Sequence, residues 1–147
     1  MDELRRKGLA KMNEVYSWEM GNIEGDPYFD LTVDHLFGTI WSRPGLSMRD
    51  KRIMTLSIVT AMGLQDLAEV QVTAALANEE LTEDELREMA IFLTQYVGFP
   101  RGSGLNGVVG RVVGKRKKAA ERGEGNDKKA NVDAALRMNS TGSINEE

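Results

Sequence analysis

Ile53-Met54-Thr55-Leu56-Ser57-Ile58-Val59-Thr60-Ala61-Met62 is apolar on nearly every side when wound as a helix, and Gly63 stops it. A helix without a polar face has to be surrounded, by its own chain or by another subunit. The segments on either side repeat the helical period. Towards the N-terminus, Ser47-x-x-Asp50 resembles a helix start with a weaker acid than the usual Glu at the fourth position. Before it, Asp26-Pro27 can open a helix on which Phe29, Val33, Leu36, Phe37, Ile40 and Trp41 share one broad face, ended by Arg43-Pro44-Gly45. A charged amphipathic helix from about Asp2 to Met20, with Leu4, Val15 and Trp18 free to pack, precedes the Gly21/Gly25 turn.

Towards the C-terminus, a helix from about Asp66 to Ala77 sets Leu67, Val70, Gln71 and Ala74 on one face, and Ala74, Ala75 and Ala77 permit close approach of a neighbour. Thr82-x-x-Glu85 is a capping box. It opens a helix through Leu86, Met89, Ala90, Leu93 and Val97, with a second stripe Met89-Phe92-Tyr96, and Gly98 and Pro100 stop it. After a Gly102/Gly104 loop, Leu105, Val108, Val109, Val112 and Val113 predict a last helix. Nothing alternates with a strand period for long. The expectation is an all-α, compact bundle of about six helices in a single domain over 1–122, with 123–147 a polar tail that reads as disordered.

Composition narrows the chemistry. The 147 residues include no cysteine, which excludes thiol peroxidase, disulfide exchange and thiolate-metal chemistry. One histidine, His35, without a clustered acidic motif speaks against a metal site, which needs three or more ligands. The net charge of -4 speaks against nucleic acid as a partner, although residues 108–129 carry a local +5. Lys115-Arg116-Lys117-Lys118 has no interleaved aromatic residue for stacking and reads as a solvated helix end. The opening MDELRRKGLAKM contains no apolar leader and no run approaches a membrane span, so a cytoplasmic protein with no membrane partner is expected.

The arginines are the main pointer to a ligand. Arg43 is held beside Pro44, and a guanidinium offers a fixed fork to a carboxylate. Arg49 and Arg52 fall in the first turns of a helix, where cations oppose the dipole and call for acidic partners, Glu69 among them, or an anionic ligand. A concave site for a small carboxylate or lactone follows. Gln71, on an apolar face, either orients that ligand or makes a structural hydrogen bond between helices. His35, the one side chain ordinarily titrating near neutrality, lies beside the main stripe as a pocket-edge acid-base group or a surface residue. Trp41, Tyr96 and Phe99 either wall a pocket or belong to the core. Gly102-x-Gly104-x-x-Gly107 matches a dinucleotide loop only as a string, because a helix and Pro100 precede it where a strand is needed.

With IWSRPGL (40–46), Arg52-Ile53-Met54-Thr55-Leu56, TAALANE (73–79) and YVGFP (96–100) quoted together, the stretch from about Phe37 to Val113 resembles the carboxymuconolactone decarboxylase family, within the alkylhydroperoxidase-D-like proteins. The resemblance implies compact all-helical protomers assembled as a homo-oligomer, trimer or hexamer. It also implies decarboxylation of a carboxylated muconolactone in aromatic-acid catabolism, with no metal or organic cofactor. Arg43 matches the family arginine. The family pattern has a histidine where this chain has Gln71 and another where it has Phe92, and the redox branch has its cysteines where this chain has Leu64 and Leu67. Gln71 can hydrogen-bond a substrate but cannot act as a base. The resulting expectation assigns Arg43, His35 and Gln71 to catalysis and Arg43, Arg49, Arg52, Gln71, Trp41, Phe92 and Tyr96 to the substrate. The alternative is a non-catalytic oligomer that binds small acids on the same scaffold.

Overall fold

The computed structural model describes residues 1–124, so almost all of the predicted polar tail lies outside the described residues. Those residues form six helices and no strand: α1 (Glu3–Tyr16), α2 (Pro27–Asp30) running unbroken into a π-helical segment (Leu31–Ile40), α3 (Met48–Ala61), α4 (Gln65–Ala77), α5 (Glu83–Val97) and α6 (Phe99–Glu121). They fall into two compact bodies, residues 1–48 and 49–124.

In the first body, α1 is capped by Asp2, whose carboxylate accepts the Arg5 backbone N–H at 2.8 Å. It stops at Tyr16, short of the predicted Met20, because Ser17 turns left-handed with φ 53°. Asp26 caps α2 through the N–H groups of Tyr28 and Phe29, with Pro27 at the first helical position, as its sequence predicts. From Leu31 the winding widens to i→i+5 bonding, seen at the end where the Trp41 N–H donates to the Leu36 carbonyl at 2.8 Å. The Ser42 hydroxyl donates to the Phe37 carbonyl at 2.7 Å over the same interval.

This widening corrects the predicted face. At about 4.4 residues per turn in place of 3.6, Phe37 and Gly38 straddle the direction of Val33, while Leu36 and Ile40 rotate away from it. Val33, Phe37 and Gly38 are accordingly buried, and Leu36 and Ile40 are exposed. The core is Met12, Val15, Phe29, Val33 and Phe37, edged by Leu9, Tyr16, Met20, Trp41 and Met48. Glycine makes the helix crossing possible, since a β-carbon at Gly8 would overlap the Val33 carbonyl and one at Gly38 would crowd Leu4 at 3.1 Å.

Arg5 ties this body together. Its guanidinium donates to Asp34 at 2.6 Å, to Asn22 at 2.8 Å and to Asp30. The Asp34 carboxyl is held below its ordinary range by the Arg5 hydrogen bond, helped by the guanidinium charge and opposed by burial. A lowered carboxylate contributes its full stabilisation above its unfolded value, about pH 4, and loses it as pH falls through the folded one. Asp34→Asn should therefore lower the melting temperature at pH 7 while losing its disadvantage below about pH 4. Thermal melts of both proteins from pH 7 downwards check this; a gap independent of pH would contradict it.

In the second body, α3 buries Arg52, Leu56, Val59 and Thr60. Its run is not surrounded in this single chain, for Met54, Ile58 and Met62 are 52%, 57% and 61% exposed. On α4 the buried face is Ala68, Gln71, Val72, Ala74 and Ala75, with Leu67 turned outwards, one position round from the prediction. The Thr82–Glu85 capping box is formed in both directions. Its Glu85 carboxyl is held low, first by the Thr82 backbone N–H and then by Arg49.

The predicted Gly102/Gly104 loop is absent. Helix α6 starts at Phe99 and runs through both glycines. Gly102 is needed because a β-carbon there would overlap Thr94 of α5, and at Gly104 one would press on the Gln65 side chain at 3.0 Å. Around α6, Leu105, Val108, Val109, Val112 and Val113 pack with Leu56, Val72, Ala75, Leu81 and Leu86.

Candidate functional site

The most deeply buried charge is Arg52, which is 0% exposed. Its Nε donates to a Glu80 carboxylate oxygen at 2.9 Å and another guanidinium nitrogen donates to the Gln71 side-chain oxygen. Helix α3 supplies the cation and α4 the amide. The turn after α4, left-handed at Glu79 with φ 56°, brings Glu80 back beneath them. Burying a guanidinium demands such a set, since desolvation is offset only by pairing and hydrogen bonds. Gln71 therefore makes the interhelical bond that was one of its two readings.

Arg49, exposed, forms an ion pair with Glu85. The acidic partners of Arg49 and Arg52 are thus Glu85 and Glu80, and Glu69 instead accepts from Lys115 at 3.1 Å. Phe92 and Tyr96 are exposed and lie 5.3 Å apart, ring to ring. In the first body, His35 and Arg43 are exposed, the Arg43 N–H donates to the Ile40 carbonyl at 3.2 Å, and Trp41 stacks on Phe37 at 6.3 Å. Of the expected residues, Arg52 with Gln71 and Phe92 with Tyr96 are brought together by contacts of their own.

A cavity of about 280 Å³ opens within the second body where α3 ends and α4 and α6 begin. Val59, Ala68 and Leu105 form its apolar wall, and its polar side chains are Thr60, Gln65 and Arg101. At about 30 Å³ per water it has room for roughly nine, the size of a small organic molecule. Three local features build it. Gly63, at φ 74°, turns α3 into α4, and a β-carbon there would meet the Arg101 guanidinium, so Arg101 lies across this turn. Helix α4 follows Leu64, whose side chain provides no cap, which leaves its first N–H groups and positive dipole end available, partly offset by Asp66. Arg101 itself stands in the first turn of α6, and among the described residues no acidic group pairs with it.

None of the expected site residues lines this cavity. Arg101 was open to the reasoning applied to Arg49 and Arg52, a cation in a helix's first turn, but only once α6 is known to start at Phe99. Thr60 carries no such signal, because a threonine within an apolar helix reads as filler. Chemically, the site can hold an anionic group at Arg101 and an apolar or weakly polar body against the wall.

The carboxymuconolactone decarboxylase family matches residues 26–106, an interval that contains the whole cavity lining. A 4-carboxymuconolactone decarboxylase of Acinetobacter baylyi is 33% identical over 98 residues, covering 67% of this chain and 72% of that protein. A nitrosuccinic acid decarboxylase of Metarhizium robertsii is 31% identical over 75 residues, covering 50% of this chain and 51% of that protein. With a match over more than half its length and six helices in the described residues, this chain belongs to the carboxymuconolactone decarboxylase family.

Proposed function

We propose that this protein is a decarboxylase of a small organic acid and that the cavity between α3, α4 and α6 receives the substrate. The carrying observation is Arg101, the one charged residue of an otherwise largely apolar lining. Two similar proteins named for the decarboxylation of acids support the reaction class. An ion pair to the departing carboxylate would stabilise a charge that must disappear, which slows the reaction. Arg101 accordingly holds a carboxylate that the substrate keeps, and the leaving carboxylate faces Val59, Ala68 and Leu105, where poor solvation favours its loss. The electrons of the broken C–C bond move into an acceptor within the substrate, such as a carbonyl, carbon dioxide departs, and the carbon takes a proton from water. The lining residues include no carboxylate, histidine or lysine, so the substrate has to bring its own electron sink.

The exposed Met54 and Ile58 of α3 and Met62 just beyond it, with Ile91, Phe92 and Tyr96 of α5, support a homo-oligomer. The test is carbon dioxide release from 4-carboxymuconolactone and from nitrosuccinate, with the species sedimenting above the 16.3 kDa protomer. Arg101→Gln should lower kcat/KM at least tenfold, the equivalent of about 1.4 kcal/mol from a lost charged hydrogen bond. Arg43→Ala is the comparator, since the family resemblance assigns the anchor to Arg43; loss of turnover there with none in the Arg101 variant would transfer the role. A lining without a carboxylate, histidine or lysine to move a proton favours a second reading, binding of small acids without turnover. Affinity without carbon dioxide release would establish it.

A further inference from the structure

Five helical hydroxyls of the described residues share a bond that Thr60 lacks. Thr32, Thr55, Ser57, Thr73 and Thr94 each donate back to the carbonyl four residues earlier, at 2.7 to 2.9 Å. Thr60 sits in the last turns of α3, is 4% exposed, and its hydroxyl oxygen has no hydrogen-bond partner among the described residues. A buried hydroxyl left so disfavours the fold, and an isosteric valine would be neutral or stabilising. Thr60 also lines the cavity that Arg101 overhangs. Its oxygen is shielded from solvent, and one staggered step about Cα–Cβ is enough to exchange it with another β-substituent.

We propose that Thr60 is the residue that selects the ligand, donating its hydroxyl hydrogen to an uncharged oxygen acceptor of an acid whose carboxylate is held by Arg101. The ligand class is then a small acid carrying, besides the anchored carboxylate, a carbonyl or nitro oxygen. Two facts combine in this. The cavity offers one cationic and one neutral donor from its side-chain set, besides the Gln65 amide packed against Gly104. The neutral donor is the one polar group there with an unmet bond and almost no access to water, where a hydrogen bond counts most. In turnover the same oxygen gathers the electrons released with carbon dioxide, so the contact would strengthen as the bond breaks.

The inference rests on the proposed function only for placing an acid in this cavity, and its test needs no turnover. Binding of 4-oxopentanoate and of pentanoate, which differ in the ketone oxygen, is measured by calorimetry on the full chain. The wild type should prefer the oxo acid about tenfold, as one net hydrogen bond predicts. Thr60→Val should abolish the preference while leaving pentanoate affinity and the melting temperature unchanged or higher, and Thr60→Ser should keep the preference. Arg101→Gln should weaken both acids alike. A preference that persists in Thr60→Val, or its absence from the wild type, overturns the proposal. Failure to release carbon dioxide from any acid, with the preference intact, would remove the decarboxylase reading and leave this one standing.

Discussion

Glu80→Ala should cost the second body about 3–5 kcal/mol, the penalty for leaving a buried charge without its partner. Arg52 has no exposed surface through which water could replace the lost carboxylate, and Gln71, being neutral, cannot balance the guanidinium. The loss belongs to the stranded cation more than to the bond itself. Replacing the set together, Arg52→Met with Gln71→Leu and Glu80→Leu, should recover most of it, because apolar side chains of similar volume pack without desolvation cost. Urea unfolding followed by far-ultraviolet circular dichroism reads both proteins. Equal stability of Glu80→Ala and wild type would show that this ion pair contributes nothing.

Gly8→Ala should be the most damaging single methyl in the first body. The added carbon would overlap the carbonyl carbon and oxygen of Val33, and backbone cannot rotate aside as a side chain can. Helix α1 would have to move off the π-helical segment, opening contacts to Val33 and Phe37 at a cost of about 3 kcal/mol, the upper part of the usual range for overpacking. Gly110→Ala is the control. Nothing lies within 4 Å of a β-carbon there, so the exchange should gain up to about 1 kcal/mol from helix propensity alone. Thermal melts of the two variants should therefore move in opposite directions; a Gly8→Ala protein that melts with the wild type would rule out the close crossing.

Local chemistry was the part of this fold open to reading. Asp26-Pro27 and Thr82-x-x-Glu85 announce helix starts because their bonds reach only three residues, and both are formed. What depends on neighbours was not legible. Gly102 and Gly104 look like loop residues until Thr94 and Gln65 are seen pressed against them. The change in winding after Asp30 leaves no mark in composition, so Leu36 and Ile40 were assigned to the core face they do not share. In the site, Gln71 on an apolar face signalled a buried polar contact and Arg52 provides it. Glu80 joins them across a turn that no spacing predicts. The cavity needed three helix ends to meet, which is why neither Thr60 nor Arg101 could be picked out beforehand.

The widened winding from Leu31 to Ile40 also bears on how the chain tolerates changes of length. A π turn holds one more residue than the α turn it replaces, and so it is the form in which a helix absorbs an insertion without breaking. A chain about two residues shorter within this interval could close into ordinary α winding, with Phe29 and the end at Trp41 keeping their places and the side chains between them reassigned to new directions. Position numbers across 31–40 then cease to be equivalent between sequences of different length, and an alignment that slides through this interval without a gap would pair a core residue of one chain with a surface residue of the other.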